Sequence, residues 1–317
     1  VHVAVLGAGA LGRIFGVRLA TRGKVDVDFV VRESRLSEAA GTAGPIAIER
    51  VQGGERLSLA TPSFVAEVPA HADVVLGCVG AHQLGGDFIS LLQRGPHVPV
   101  VIVTPMLPRT HARVEAALPG RVVPAFTNVT GYVNESGVTR HWISRSMKML
   151  FDEAHGARTA REPQRPVMDD LLAGLAAAGI EGRIELGVQE ASASGVIAIL
   201  PLLIAIDAGG SIDALMGQGP LLATMFRAIK EARTLAERCG QVPGWARTLD
   251  RFLGPLTLKV GLALGRRRSP EIVSFVEASF GRRARAQNAF LAEELLALAD
   301  EKGVPCPSVR ALAGRLT

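Results

Sequence analysis

Apolar positions in the first half of the chain fall in short, nearly continuous runs separated by amphipathic stretches, the pattern of strands buried on both faces alternating with helices. VHVAV at residues 1–5 reads as a strand. Leu11, Ile14, Phe15 and Leu19 then share one helical face, and Val25–Val31 reads as a second strand. Residues Ile46–Ala60 alternate around Gly53-Gly54 and predict a β-hairpin. Further parallel strands are predicted over Asp73–Val79, Val98–Val103 and Arg121–Phe126, with a helix from about Gln83 to Gln93. Gly137–His141 and Met147–Phe151 read as additional strands, antiparallel to the rest.

Near Leu186 the pattern changes to helical periods with almost no strand signal: Val188–Ile206, Leu221–Cys239, Trp245–Leu264, Pro270–Phe280, Ala284–Lys302 and a short end after Pro307. Glycine and proline mark the breaks, at Gly209-Gly210, Gly240, Gly254-Pro255 and Gly303 through Pro307. The fold class predicted is α/β, an N-terminal Rossmann-type doubly wound sheet over residues 1–186. A second, all-helical domain follows over residues 187–317, with a substrate cleft between the two.

The turn out of the first strand carries the most specific motif. Gly7, Gly9 and Gly12 have the G-x-G-x-x-G spacing: a tight turn, a close backbone approach to a pyrophosphate, and close packing of helix on strand. The helix that follows presents free N–H groups at Ala10 and Leu11 and the positive end of its dipole to phosphate. Arg32 stands at the end of the second strand, where a dinucleotide fold meets the adenosine ribose. A guanidinium there suits a 2′-phosphate, whereas NAD sites place Asp or Glu, so NADP is the expected cofactor. Glu33 is adjacent, with Ser34 and Arg35 available for further phosphate contacts.

The 317 residues, 48% hydrophobic, suffice for two cores, and the net charge of +5 comes with only 4% aromatics and no basic run longer than Arg266-Arg267-Arg268. That balance suits an anionic small-molecule substrate and a phosphorylated cofactor and gives no sign of nucleic acid. Cys78, Cys239 and Cys306 form no C-x-x-C pair, and neither a basic leader nor a cleavage site precedes the first strand, so a cytoplasmic protein is expected. The longest apolar run, Val196–Ile206, contains Pro201 and is too short to span a bilayer; no membrane association is expected. His82, His111 and His141 lack ligand spacing, and no metal site is predicted.

VLGAGALG with its following Gly16, VVR at Val30–Arg32, ADVVLGCVGAHQ at residues 72–83, Pro201-Leu202, KEARTLAERCG and GVPCPSVRAL together resemble the ketopantoate reductase (2-dehydropantoate 2-reductase) family. The resemblance implies NADPH-dependent reduction of a 2-keto acid, and a homodimer. It also implies a lysine on the first helix of the second domain that protonates the carbonyl, asparagines one and two turns later, and a glutamate on a later helix that binds substrate. Gly7, Gly9, Gly12, Arg32 and Gln83 match the family's cofactor half. Its lysine after the strand ending at Val79 is Gly80 here, and its asparagine after the strand ending at Val103 is Thr104. With Pro201 as anchor, the catalytic lysine falls on Ser192, the two asparagines on Val196 and Leu200, and the glutamate on Gln287, beside Asn288. No lysine occurs anywhere from Met149 to Ile229, so a shifted register does not restore the acid.

A positioned acid contributes about 10² to 10⁴-fold to such a reduction. The replacements considered are Glu190, if burial raises its pKa, Ser192, and Tyr132 on a loop after the strand ending at Phe126. Asn128 and Thr130, also read as loop residues, and Gln287 and Asn288 are candidate substrate contacts. The expected activity is reduction of a small keto acid, carbonyl or imine other than ketopantoate. A redirected, non-redox enzyme or a nucleotide-binding regulatory protein is the alternative.

Overall fold

A computed structural model of the chain describes all residues except 42–43, 145, 154–164, 241–259, 263–266, 268–269 and 317. The chain divides into two compact units, Val1–Pro105 with Thr110–Gln189, and Met106–Arg109 with Glu190–Thr317.

The first unit is built on an eight-stranded sheet. In chain order its strands are β1 (His2–Leu6), β2 (Asp26–Val30), β5 (Ser63–Val65), β6 (Val74–Gly77), β7 (Val100–Ile102), β8 (Val122–Phe126), β11 (Met149–Asp152) and β12 (Gly182–Glu185). Their spatial order is β12-β11-β8-β7-β6-β1-β2-β5. From β5 to β8 every pairing is parallel, and β11 runs antiparallel to β8. The six parallel strands reproduce the doubly wound order 3-2-1-4-5-6, in which the direction of winding reverses between β1 and β6. Val3, Ala4, Val5, Val74, Val75 and Val100 are fully buried, as strands covered on both faces require.

Helix α1 (Ala10–Arg18) follows β1 and continues into a wider π turn, Leu19–Gly23. After β2 come α2 (Glu33–Gly41) and the predicted hairpin, β3 (Ile46–Arg50) with β4 (Arg56–Leu59), whose register opposes Ile46 to Leu59. The hairpin belongs to a second, four-stranded sheet of order β4-β3-β10-β9, with β9 at Val129–Val133 and β10 at Thr139–Ile143. This sheet corrects the sequence reading of Thr130 and Tyr132 as loop residues: on β9, Thr130 opposes Trp142 and Tyr132 opposes Arg140, while Asn128 lies in the connection before β9. Gly131 interrupts the apolar alternation for a packing reason. A Cβ there would lie 2.6 Å from the Arg140 carbonyl oxygen and 2.7 Å from Ile14 Cδ1, so β9 lies against α1 only with glycine at that position.

A buried polar cluster joins α1 to this second sheet. Arg18, 3% exposed, pairs with Glu55 of the hairpin and donates to the Ala178 carbonyl at 2.8 Å. Its Nη2 lies 3.2 Å from Nε2 of the fully buried His141. Burial, and then the Arg18 charge, depress the His141 pKa from its ordinary 6.5 to about 4. The ring is therefore neutral and free to accept from the guanidinium.

The rest of the first unit is α3 (Gly86–Arg94), α4 (Pro108–Ala117), whose first two residues go with the other unit, and α5 (Arg165–Ala177).

The second unit is helical among its described residues. Helix α6 is Val188–Gly209, α7 is Ile212–Gly217, α8 is Gly219–Cys239, α9 is Pro270–Phe280, α10 is Arg285–Glu301 and α11 is Pro307–Ala313. The predicted helix Trp245–Leu264 and the basic run Arg266–Arg268 lie largely outside the described residues. On α8, Leu221, Leu222, Met225, Ala228, Ile229, Ala232, Leu235 and Ala236 are buried at helical spacing. Glu231 of α8 accepts from the Ser308 and Val309 amides at 2.8 and 3.0 Å, capping α11.

At 22 residues α6 exceeds the apolar run seen in the sequence, and by length and composition it could cross a membrane, but 61% of its most apolar window is buried inside the protein. Ile197, Leu200, Ile204 and Ala205 on it are fully buried, which makes it a core helix of this unit.

Candidate functional site

The three glycines after β1 are fixed by different constraints. Gly7 has φ +98°, and its amide donates to the Val30 carbonyl at 3.0 Å. A Cβ on Gly7 would also lie 2.9 Å from Val79 Cγ1, so the loop after β1 sits against the loop after β6. A Cβ on Gly12 would overlap the Gly7 carbonyl oxygen, which makes glycine obligatory where α1 crosses the strand end. Gly9, the N-cap of α1, is the opposite case: it is exposed, and a Cβ there meets nothing within 4 Å. The protein itself does not require glycine at position 9. Glycine there leaves room for a ligand to approach the backbone.

No side chain caps the N-terminus of α1, which leaves its first-turn N–H groups, including those of Ala10 and Leu11, pointing out of the helix end. Arg13 braces this loop. Its Nε donates to the Ala8 carbonyl at 3.0 Å and its Nη1 to the Gly137 carbonyl in the β9–β10 turn, also at 3.0 Å. The sequence gives no signal for that brace, because its second partner lies 124 positions away.

The loops after β1 and β6 flank the point where the winding of the sheet reverses, the place where open α/β sheets bind ligands. After β6, a 3₁₀ turn at Ala81–Gln83 is closed by the Gln83 side chain, which accepts from the Gly80 amide at 3.0 Å. The buried Thr104 hydroxyl donates to the Val79 carbonyl, tying the end of β7 to the same loop. Arg32 is exposed just beyond β2. His82 is close enough to feel it: partial burial, and then the Arg32 charge, lower the His82 pKa.

The remaining candidates of the first unit have structural partners. Asn128 is buried, and its amide donates to the carbonyls of Ser144 at 3.2 Å and Met147 at 2.8 Å, bracing the chain between β10 and β11. Thr130 and Tyr132 are half-buried strand residues in contact range of their cross-strand neighbours.

In the helical unit, Glu190 stands in the first turn of α6 and is exposed, so the buried acid considered at that position does not form. An exposed carboxylate there complements the helix dipole. Ser192 is buried, and its hydroxyl has no hydrogen-bond partner among the described residues. Val196 is half-buried and Leu200 fully buried on the same helix. Gln287 and Asn288 lie on α10, with Asn288 buried. One strong polar contact in this unit went unread in the sequence: Asp207, whose side chain is fully buried, accepts from Arg285 Nε at 3.1 Å and Nη2 at 2.9 Å. Arg285 is thus engaged by α6.

Residues 3–149 match the family model described as ketopantoate reductase PanE/ApbA. Among curated proteins, no sequence relative matches. Solved structures match along the whole chain. One is 2-dehydropantoate 2-reductase from Geobacter metallireducens GS-15, 16% identical, covering 100% of this chain and 99% of that one, with a TM-score of 0.72. Another is the PanE/ApbA family ketopantoate reductase from Ralstonia eutropha JMP134, 20% identical, covering 100% and 97%, with a TM-score of 0.67. A third, D-mandelate dehydrogenase in a ternary structure with NADH and anilino(oxo)acetate, is 14% identical, covers 100% and 97%, and has a TM-score of 0.70. At these identities the structural likenesses establish the fold, and the family model matches residues 3–149, the segment that carries the glycine loop.

Proposed function

We propose that the chain is an NADPH-dependent reductase of a small keto acid, carbonyl or imine other than ketopantoate. The observation that carries this reading is the contrast between Gly12, which the fold requires, and Gly9, where a Cβ would meet only open space although the dinucleotide spacing has glycine. When bound, NADPH supplies the two electrons and the hydrogen that reduce the carbonyl carbon.

The chain's own residues would then divide the work. The loop amides after Gly9 hold the pyrophosphate, and the Gly80–Gln83 turn and Thr104 shape the neighbouring strand ends. Arg32 pairs with the 2′-phosphate, which supports NADP over NAD. Asn128, Thr130, Gln287 and Asn288 remain the proposed substrate contacts. The developing alkoxide needs a proton, and with no lysine between Met149 and Ile229 and Glu190 exposed, the proposed donors are Ser192 and Tyr132. Free cysteines, two of them buried, fit a reducing cytoplasm, and a homodimer is expected by sedimentation.

Fluorescence titration with NADPH and NADH, followed by turnover assays across a panel of 2-keto acids, tests the reading. Arg32→Ala is expected to weaken NADPH by about tenfold or more, roughly 1.4 kcal/mol, and to leave NADH nearly unchanged. Equal affinity for the two nucleotides in the natural protein would remove the NADP assignment. Tight NADPH binding with no oxidation by any carbonyl or imine tested would favour the second reading, a nucleotide-binding regulatory or non-redox protein, which the missing lysine motivates.

A further inference from the structure

We propose that His2, Asp28 and His71 form a binding site for a divalent transition-metal ion of the zinc type, set at the end of the parallel sheet away from the glycine loop. The residues come from three places in the chain: the first position of β1, the middle of β2, and the connection between β5 and β6. Spacing along the sequence gives no hint of the cluster, because only the parallel pairing of β1 with β2 and β6 gathers it.

The donor atoms lie close enough together to share one ion. One atom from each side chain lies within 4.8 Å of the others. Both imidazoles present Nε2 to the same carboxylate oxygen: Asp28 Oδ2 is 2.7 Å from His2 and 3.7 Å from His71. Zinc held by bonds of about 2.0 to 2.2 Å places tetrahedral ligand atoms about 3.3 to 3.5 Å apart, between those two separations. A small adjustment of the side chains would therefore let an ion take the place of the His2–Asp28 hydrogen bond. The two rings meet edge to face with centroids 4.3 Å apart.

Supporting contacts hold the ligands in place. Asp28 also accepts a side-chain hydrogen bond from Ser63 of β5, and the His2 amide donates to Asp73 Oδ2 at 2.7 Å, fixing the start of β1. The Asp28 side chain is 12% exposed and that of His71 67%. The site is thus anchored in the sheet and open to solvent on one side, where water would complete the coordination. Two imidazoles and one carboxylate make a borderline-soft N₂O set, which selects zinc-type ions over calcium or magnesium. His2 begins the strand that Gly7 follows, so the ion would lie about 16 Å from the cofactor loop along β1. Its role is to staple β1, β2 and the β5–β6 connection, not to take part in chemistry at the dinucleotide.

The test uses the untagged full chain, stripped with a chelator and titrated with Zn²⁺ alone by calorimetry, with melting followed in parallel. The expected result is one high-affinity Zn²⁺ per chain and a higher melting temperature. His71→Ala, in an exposed connection that tolerates truncation, and Asp28→Asn should each weaken that binding by about tenfold or more and abolish the zinc-dependent rise in melting temperature. His97→Ala, an exposed histidine elsewhere, should leave both unchanged. Failure of the natural protein to bind one Zn²⁺ per chain, or binding unaltered in His71→Ala, would overturn the proposal. NADPH affinity is read separately and is expected to be the same with and without zinc.

Discussion

The α/β unit and the helical unit match the residues that the resemblance implies to unequal degrees. At the glycine loop, each matching residue has a physical reason to be what it is: Gly7 turns with positive φ, Gly12 lets α1 cross the strand end, and Gly9 leaves the approach open. On α6 and α10, the positions that correspond to the family's lysine, asparagines and glutamate hold Ser192, Val196, Leu200 and Gln287, with Leu200 simply buried among apolar neighbours. A glycine loop with dinucleotide-binding spacing and a proton donor are thus separable features, and possession of the first does not establish the second.

The largest expected effect breaks the first half of that comparison. Gly12→Ala places a methyl group on the Gly7 carbonyl oxygen, backbone that cannot swing away, and should cost about 3 kcal/mol or more. Denaturant unfolding would register the loss, and an unchanged midpoint would mean that α1 does not cross the strand end as described.

A comparable effect concerns the cluster under α1. The folded protein holds His141 neutral, with a pKa depressed to about 4, while the unfolded chain titrates near 6.5. Between those values the unfolded state binds the extra proton. The His141 contribution to stability is therefore complete above pH 6.5 and lost as pH falls toward 4, about 3 kcal/mol in all. Glu55 acts lower still: burial raises its pKa, but the bond from Arg18 and the surrounding charges outweigh that and leave it below its ordinary value. Melting curves from pH 7 to 4 should show the decline, and His141→Gln, which keeps an acceptor for Arg18 without the titration, should flatten it.

The smallest effect sharpens the second half of the comparison. Ser192→Ala removes a buried hydroxyl without a partner among the described residues, and should change stability by less than about 1 kcal/mol. A large loss would reveal a partner that gives this position a role of its own.

What could be read from the sequence was what is local. The glycine spacing, the continuous apolar strands, the hairpin at Gly53-Gly54 and the switch to helical periods all express themselves within a few residues, and the fold follows them. Strand β9 was missed because Gly131, required by the approach of Ile14, interrupts the alternation that would have marked Thr130 and Tyr132 as strand residues. The buried setting considered for Glu190 was not realised because a first-turn carboxylate can face outward while the helix beyond it is buried. Contacts that join distant positions, such as Arg13 with Gly137, Asp207 with Arg285, and His2 with Asp28 and His71, leave no periodic trace at all.

The central claim is that the glycine loop is shaped for a ligand as well as for the fold, and Gly9→Ala tests it most directly. A methyl group at that position meets open space, so the variant should melt within about 2 °C of the natural protein while its NADPH affinity falls by about tenfold or more. Unchanged melting together with unchanged NADPH affinity would contradict the account.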